Sequence, residues 1–165
     1  MASDFQPKAI LQRLNKHHVD YVLIGGLAAV AQGSAIATFD VDVAYARDRA
    51  NLERLAGTLS EIGARLRGAP PDLPFTPDAE TLQAGSHFTF ETRYGSFDIL
   101  SDPVGAPKYQ QLRDAAVATE IDGEGVLVAS LEHLIAMKEA TGRNKDKYMA
   151  REYRTLADEI RRRNG

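Results

Sequence analysis

The fold of this chain is decided by residues 21–43, which read YVLIGGLAAVAQGSAIATFDVDV. An apolar run ends at the pair Gly25-Gly26, an alanine-rich stretch follows, and Asp40 and Asp42 then alternate with valines. The first run predicts a strand buried on both faces, because it is continuously apolar. The glycine pair predicts a turn into a short helix, and the alternation of aspartate and valine predicts a second strand.

The two aspartates define a charged face on that second strand. Successive side chains of a strand point to opposite faces, so Asp40 and Asp42 lie on one face. Phe39, Val41 and Val43 lie on the other face, which has a core to pack into. Two neighbouring carboxylates repel each other unless a cation neutralises them, and oxygen ligands at this spacing suit Mg²⁺ together with substrate phosphates. The pair therefore predicts a magnesium site, although a solvated strand face is also consistent with the spacing.

Composition limits the classes of function. The 165 residues carry a net charge of −3, with 44% hydrophobic and 26% charged residues, which is typical of a globular protein. The absence of cysteine excludes a disulfide, a thiolate metal site and a cysteine nucleophile. The beginning of the chain lacks the pattern of a signal peptide, and the longest apolar run, Val22 to Ala31, is too short to span a membrane. We therefore expect one domain, located in the cytoplasm and without membrane contact.

The rest of the chain predicts helices and strands in a mixed order. The clearest helix covers residues 49–66, where Asp48 is the N-cap and large apolar residues up to Leu66 recur at steps of three and four. Four prolines in residues 68–78 predict a loop. Further helices are predicted over residues 4–18 with Asp4 as N-cap, over 108–118, from Ser130 and from Asn144. Strands are predicted over residues 87–92 and 96–100, and two short strand pieces within residues 121–128, on either side of residues 122–125.

Strands and helices that do not alternate strictly favour an α+β fold. We predict a mixed, mostly antiparallel sheet with helices packed on it, followed by C-terminal helices. Residues 19–128 would form the core that carries the site, and residues 130–163 the helical C-terminal part of the same domain.

Two further features carry chemistry in this pattern. A glycine pair between a strand and a helix lets the backbone approach a ligand closely and directs free helix N–H groups at it, which suits an anion; tight packing alone would require the same glycines. No Gly-Lys-Ser/Thr follows the pair, so the turn is not a P-loop. Asp98 stands between two large apolar residues in a predicted strand, and it either faces solvent or joins the aspartate pair as a third carboxylate.

Together these residues resemble the signature of the nucleotidyltransferase superfamily, the group that includes DNA polymerase beta. That signature is an apolar strand ending in Gly-Gly or Gly-Ser, then Asp-x-Asp, then a third Asp on a later strand. The chain supplies Gly25-Gly26, Asp40-x-Asp42 and Asp98 in this order. Residues 134–146, which read LIAMKEATGRNKD, are similar to a segment of small bacterial members, the AbiEii-type toxins and minimal nucleotidyltransferases.

The resemblance implies transfer of a nucleoside monophosphate from a nucleoside triphosphate to a hydroxyl group, with release of pyrophosphate. Asp40 and Asp42 would hold two Mg²⁺ ions, and Asp98 would complete the second metal site and accept the proton of the attacking hydroxyl. The residues that would contact the phosphates are Gly25, Gly26, Ser34, Lys138 and Lys145. Both lysines are equally consistent with ordinary charged positions on helix surfaces.

One position departs from the family pattern. Such bacterial proteins commonly carry an arginine where this chain has Ile36. The isoleucine is consistent with weaker triphosphate binding, a different donor or loss of activity. The sequence thus favours an active nucleotidyltransferase, with modification of a small molecule such as an antibiotic and a non-catalytic nucleotide-binding module as the alternatives.

The charge distribution bears on the acceptor. Residues 138–165 include nine basic and five acidic residues, a net charge of +4, whereas the rest of the chain carries −7. A basic C-terminal part can steer RNA or a triphosphate, although solvated helix charges have the same composition. Under the toxin resemblance the acceptor would be tRNA or a protein hydroxyl, and the partner a cognate antitoxin.

Overall fold

The computed structural model describes residues 4–165, which form seven helices and seven strands. In chain order these are α1 (Pro7–Lys16), β1 (Tyr21–Ile24), α2 (Gly25–Ala31), β2 (Asp40–Tyr45), α3 (Arg49–Glu61), β3 (Arg65–Leu66), α4 (Ala79–Ala84), β4 (His87–Thr92), β5 (Gly95–Leu100), α5 (Tyr109–Asp114), β6 (Val117–Ile121), β7 (Glu124–Val128), α6 (Leu131–Ala140) and α7 (Asn144–Asn164). No helix within this range has the length and apolarity needed to cross a membrane.

The strands form one seven-stranded sheet in the order β3-β4-β5-β2-β1-β7-β6. β2 pairs with β5 in parallel, as β1 does with β7, and the other neighbouring pairs are antiparallel. The predicted α+β fold with a mixed, mostly antiparallel sheet is thus confirmed. β2, the strand that carries the aspartate pair, lies in the centre of the sheet.

One face of the central strands lies in the hydrophobic core. Val41 and Val43 of β2 are fully buried, as are their register partners Phe97 and Ile99 of β5. The buried leucines of α1 and α3 belong to the same core. The prediction that Phe39 shares this face is wrong, because the residue precedes the first residue of β2 and is 70% exposed.

Two helix boundaries differ from the prediction. α1 begins at Pro7 rather than just after Asp4, because proline at the first helical position lacks only an N–H that would be unpaired there and has the φ angle of a helix. α3 ends at Glu61, and Gly63 turns the chain with φ of +67°. Leu66 therefore lies in β3 and not in the helix.

The predicted starts of two other helices are confirmed by their capping side chains. Asp48 accepts a hydrogen bond from the backbone N–H of Asn51 at 3.1 Å, and Ser130 accepts one from the backbone N–H of His133 at 3.2 Å. Each side chain satisfies a donor that the first turn of a helix leaves unpaired. α7 begins at Asn144, as predicted.

Two elements are not apparent in the sequence pattern. α4 follows the proline-rich loop, and Asp78 caps it by accepting a hydrogen bond from the backbone N–H of Thr81 at 2.8 Å. The helix predicted over residues 108–118 ends at Asp114, and β6 starts at Val117 to form a hairpin with β7. A helix of six residues, such as α4, is too short for apolar spacing to indicate it.

A buried asparagine links α3 to the strands that carry the site. The Asn51 side chain accepts a hydrogen bond from the backbone N–H of Asp20 at 2.7 Å. It donates to the carbonyl oxygens of Asp20 at 3.0 Å and of Ala46 at 2.8 Å. Because Asp20 precedes β1 and Ala46 follows β2, one fully buried side chain fixes the ends of both strands against α3.

We predict that Asn51→Ala lowers the free energy of unfolding by about 2–4 kcal/mol, because three backbone groups lose their partner at once. Urea unfolding followed by circular dichroism measures the change. The control is Glu53→Ala on the exposed side of the same helix, which we expect to change stability by less than about 0.5 kcal/mol. Equal losses in the two variants would contradict the role assigned to Asn51.

Candidate active site

Two aspartates meet at the centre of the sheet. The register between β2 and β5 places Asp42 directly opposite Asp98, so both side chains lie on the face turned away from the core valines. The Asp98 carboxylate lies near enough to raise the pKa of Asp42. Asp40 lies on the same face, opposite Ser96, and is exposed to solvent. The structure therefore places the three aspartates noted in the sequence on one face of two adjacent strands.

Asp42 occupies an unfavourable position for a negative charge. Burial raises the pKa of Asp42 to about 7, and the negative charges of Asp98 and Asp40 contribute to this rise. The positive charge of Lys138 opposes it. A carboxyl group in such surroundings is stabilised by a proton or by a cation. The sheet thus creates a position that attracts positive charge.

The glycine turn packs directly against this position. Gly25 has φ of +72°, and a β-carbon there would collide with Oδ2 of Asp42. A β-carbon at Gly26 would lie only 2.8 Å from Oγ1 of Thr38. Both glycines are required because the start of α2 lies against the Asp42 carboxylate and against the segment that leads into β2.

Arg67 holds Asp98 from the side of β3. Its guanidinium donates hydrogen bonds to Oδ1 of Asp98 at 2.6 Å, to Oε1 of Glu91 at 2.9 Å and to the carbonyl oxygen of Phe90 at 2.9 Å. A planar guanidinium bound at three points has a fixed orientation. Arg67 therefore fixes the Asp98 carboxylate beside Asp42 and compensates its charge.

A second cluster of charges comes from the C-terminal helices. Asp146 in the first turn of α7 is 4% exposed, and it accepts hydrogen bonds from Lys138 at 3.3 Å, Thr141 at 2.7 Å and Arg143 at 2.8 Å. Burial alone would raise the pKa of Asp146, but the hydrogen bond from Thr141 and the charge of Lys138 outweigh burial and lower that pKa. The ionised Asp146 thus positions Lys138 and Arg143 where α6 meets α7.

Two cavities of about 320 Å³ each meet at Asp42. Asp42 and the Asp146 cluster, with its two cations, border both cavities. The first cavity lies on the side of Asp40 and Gly26 and also contains Lys145. It therefore combines carboxylates with three cationic side chains.

The second cavity lies on the side of Asp98 and Gly25. It differs from the first cavity because a large part of its wall is apolar. That wall comes from the end of β5, the loop after it and α6, with Leu100, Pro103, Val104, Leu134 and Met137. The two cavities thus offer different chemical surroundings on the two sides of one carboxylate.

Of the other residues predicted to contact phosphates, two line the first cavity and one lies outside both cavities. Lys138 and Lys145 line the first cavity, where Lys145 is exposed. Ser34 does not belong to the lining of either cavity, and its Oγ accepts a hydrogen bond from the backbone N–H of Ile36 at 3.2 Å. Ile36 itself lines the first cavity. In this structure Ser34 stabilises the loop before β2.

The donor chemistry of Asp40 and Asp42 fits a divalent cation, since both are carboxylates on one strand face and one of them is crowded by like charge. Asp98 adjoins them but is bound by Arg67. Within residues 4–165, no group of three His, Asp or Glu side chains is arranged to hold a metal ion. The residues that could hold a cation in this arrangement are therefore Asp40 and Asp42.

Solved structures with the same architecture identify the fold. The lincosamide antibiotic adenylyltransferase LnuA, solved with lincomycin bound, is 17% identical with a TM-score of 0.61, and the match covers 93% of this chain and 99% of LnuA. A candidate nucleotidyltransferase from Thermotoga maritima is 16% identical with a TM-score of 0.57, over 93% of this chain and 96% of that one. ANT(2'')-Ia in complex with adenylyl-2''-tobramycin is 17% identical with a TM-score of 0.56, over 92% and 85%.

The chain has a nucleotidyltransferase fold. At this level of identity the likeness establishes the architecture alone. No protein-family model matches the sequence, and a search of curated protein sequences gives no significant match.

The contacts that two side chains of this nucleotidyltransferase fold make around the site, those of Arg67 and Asp146, are not evident from the sequence. Arg67 reaches Asp98 only because β3 pairs with β4 beside β5, and no local pattern indicates that pairing. Asp146 has a local signal, because Arg143 stands three residues before it at the start of a predicted helix, a spacing that favours an ion pair. Its contact with Lys138 depends on how α6 and α7 pack.

We predict that Gly25→Ala lowers the free energy of unfolding by about 2–4 kcal/mol, because alanine is strained at positive φ and its methyl group collides with Asp42. The matched control is Gly123→Ala, where φ is +89° and a β-carbon would meet nothing within 4 Å. The control should cost only the backbone strain of about 1–2 kcal/mol. Urea unfolding of both variants measures the difference, and equal losses would mean that Asp42 does not require the glycine.

A second prediction concerns pH. The pKa of Asp42 in the folded chain is about 7 against an ordinary value of 3.8, so the folded chain binds this proton more tightly than the unfolded chain. The stability that this proton contributes is complete below pH ~4 and is lost as the pH rises to about 7. Asp42→Asn should therefore make the metal-free protein about 1–2 kcal/mol more stable than wild type at pH 8 and change it little at pH 4, since partial exposure weakens the effect.

Urea unfolding in EDTA at both pH values tests this expectation. Asp158→Asn, at an exposed position of α7, is the control and should follow the wild-type pH dependence. If Asp42→Asn is less stable than wild type at pH 8, burial and the neighbouring carboxylates do not disfavour the charge of Asp42 as the structure indicates.

Proposed function

We propose that this chain is a nucleotidyltransferase that moves a nucleoside monophosphate from a nucleoside triphosphate to a hydroxyl group and releases pyrophosphate. The observation that carries the proposal is the meeting of Asp42 and Asp98 on adjacent strands, beside a glycine turn and a cluster of cations. Transfer of this kind relies on positioning and on neutralising charge. The nucleotidyltransferase fold is consistent with it. A nucleoside triphosphate substrate also supports a cytoplasmic location, where these nucleotides are made.

The first cavity is the proposed site of the triphosphate. Lys138, Arg143 and Lys145 line it, and cationic side chains attract and neutralise phosphate oxygens. Asp146 holds two of these cations in place through its hydrogen bonds. Gly26 lets the backbone at the start of α2 approach the phosphates without a side chain in between.

Asp40 and Asp42 are the proposed ligands of Mg²⁺, of which two ions would be held together with the triphosphate, and Asp98 would complete the second metal site. Bound Mg²⁺ would neutralise phosphate charge and lower the pKa of the acceptor hydroxyl. The raised pKa of Asp42 supports this assignment, because burial and the neighbouring carboxylates disfavour its negative charge and a bound divalent cation would offset both.

Asp98 is the proposed proton acceptor. The acceptor oxygen attacks the α-phosphorus, the bond between that phosphorus and the pyrophosphate oxygen breaks, and the hydroxyl proton passes to Asp98. Arg67 orients the Asp98 carboxylate for this step through its hydrogen bond to Oδ1. Lys138 and Arg143 neutralise the charge of the departing pyrophosphate.

The second cavity is the proposed site of the acceptor, because it adjoins Asp98. Its apolar wall suits a small molecule that carries a hydroxyl group on a partly apolar body, and it suits a polynucleotide backbone less well. LnuA is described as an antibiotic adenylyltransferase, and ANT(2'')-Ia was solved with an adenylylated antibiotic. We therefore propose a small hydroxylated molecule as the first candidate for the acceptor.

An RNA or protein acceptor, as expected for an AbiEii-type toxin with a cognate antitoxin, is the second candidate. The observation in its favour is the basic character of α7, which ends in Arg161, Arg162 and Arg163. Part of that charge is neutralised within the helices, because Arg154 pairs with Glu139 and Arg161 with Asp158. The reduced free charge makes this candidate secondary to the small acceptor.

A transfer assay tests the proposal. The protein is incubated with Mg²⁺ and each nucleoside triphosphate labelled at the α-phosphate, together with total RNA or with a panel of hydroxylated small molecules that includes lincomycin and tobramycin. We expect label in a small molecule. Asp40→Asn and Asp42→Asn should each lower the rate by about 10²–10³-fold or more, because both remove a proposed metal ligand. Asp158→Asn is the control and should keep the wild-type rate.

The outcomes separate the candidates. Label in RNA or in protein that disappears in both variants supports the second acceptor class and the same chemistry. Triphosphate binding without any labelled product supports a non-catalytic nucleotide-binding module, for which Ile36 in place of an arginine is the sequence evidence. A wild-type protein that binds no triphosphate in the presence of Mg²⁺ contradicts the proposed function.

A further inference from the structure

Phe39 is an exposed aromatic side chain beside the proposed metal ligands. It directly precedes Asp40 and is 70% exposed, the highest value among the large hydrophobic side chains of residues 4–165. Val41, the next apolar residue along the chain, is fully buried. The structure thus leaves most of a phenyl ring in water. The folded chain therefore lacks part of the roughly 1.5–3 kcal/mol of stability that burial of such a side chain contributes.

The exposed Phe39 ring lies at the first cavity. Phe39 lines the first cavity, the same cavity that contains Asp40, Asp42 and the three cations. Ile36 and Met149 also line it and supply further apolar surface. The first cavity therefore has the two kinds of surface that a nucleotide presents, because a nucleotide joins a flat aromatic base to a charged phosphate chain.

We propose that Phe39 is the platform on which the base of the bound nucleotide stacks, with Ile36 completing the apolar surroundings of the base. This inference rests on the proposed function, since it assumes that the phosphates occupy the cationic part of the first cavity. An aromatic ring next to an open cavity can accept a base by offset stacking, and such contacts contribute about 1–3 kcal/mol per base.

Under this proposal Ile36 contributes to binding of the base. An arginine at this position would add a cation to the first cavity, whereas the isoleucine adds apolar surface beside Phe39. Stacking does not depend on the hydrogen-bonding edge of the base, so it tolerates every base and favours the larger purines. We therefore expect ATP and GTP to bind more tightly than CTP and UTP, with little difference between the two purine nucleotides.

The chain contains no tryptophan, so Phe39→Trp introduces a single fluorescent probe at the proposed platform. In the presence of Mg²⁺, ATP should quench the fluorescence of this tryptophan, because the adenine stacks on the indole. Inorganic tripolyphosphate has the phosphate chain but no base, so it should bind and leave the fluorescence nearly unchanged.

The same two ligands separate base binding from phosphate binding in a second variant. Phe39→Ala should weaken ATP binding by about 5- to 150-fold in calorimetry, which corresponds to the loss of one stacked base. It should leave tripolyphosphate binding unchanged, and urea unfolding should give wild-type stability because the side chain is exposed. Phe39→Leu should lose most of the ATP affinity as well, because leucine is apolar but not flat. Leu73→Ala, at an exposed apolar position outside both cavities, is the control and should bind both ligands like wild type.

Three results would overturn the inference while the proposed function stands, and the first two concern ATP and tripolyphosphate binding. One is equal ATP affinity in wild type and Phe39→Ala; the other is equal quenching by ATP and tripolyphosphate in Phe39→Trp. Full ATP affinity in Phe39→Leu would overturn stacking in favour of a general apolar contact. If wild type binds neither ATP nor tripolyphosphate, both the inference and the proposed function fail.

Discussion

Two carboxyl groups held against each other in the middle of the sheet are the constraint on which the rest of the site depends. The parallel pairing of β2 and β5 places Asp42 opposite Asp98. The buried Val41 and Val43 on the other face fix that pairing, because a shift by one residue would turn the aspartates into the core. The core therefore sets the position of the charges, and only protons or cations can relieve their repulsion.

The cations that do so come from distant parts of the chain. Arg67, the residue directly after β3, forms an ion pair with Asp98. Lys138 of α6 lies close enough to Asp42 to affect its pKa. Each of them is held by a further carboxylate, Arg67 by Glu91 and Lys138 by Asp146. Partners of this kind fix the orientation of long side chains that would otherwise be mobile in solvent. The site is thus organised before any ligand binds.

The sequence predicts the part of this arrangement that depends on local spacing. The strand, glycine turn and aspartate pair of residues 21–43 have a periodicity that indicates the face of each side chain, and the structure agrees for Val41 and Val43. Phe39 does not lie on the predicted core face, because β2 begins only at Asp40. The spacing of apolar residues predicts the boundary of a strand less reliably than its existence. Arg67 could not be predicted, because its contact with Asp98 depends on pairing between strands that are distant in the chain.

The charges of the first cavity also bear on how its two proposed ligands depend on each other. Lys138, Arg143 and Lys145 face the carboxylates of Asp40, Asp42 and Asp146, so the fully ionised cavity has no excess of positive charge. A triphosphate without a cation would gain little there, and a divalent cation without the triphosphate would meet the nearby ammonium and guanidinium groups. Together the two ligands neutralise each other within the cavity, so each must strengthen the binding of the other by the same factor. An arginine in place of Ile36 would give the cavity a net positive charge and weaken this dependence. With isoleucine, the proposed recognition of a nucleotide would rest more on the metal and on the base.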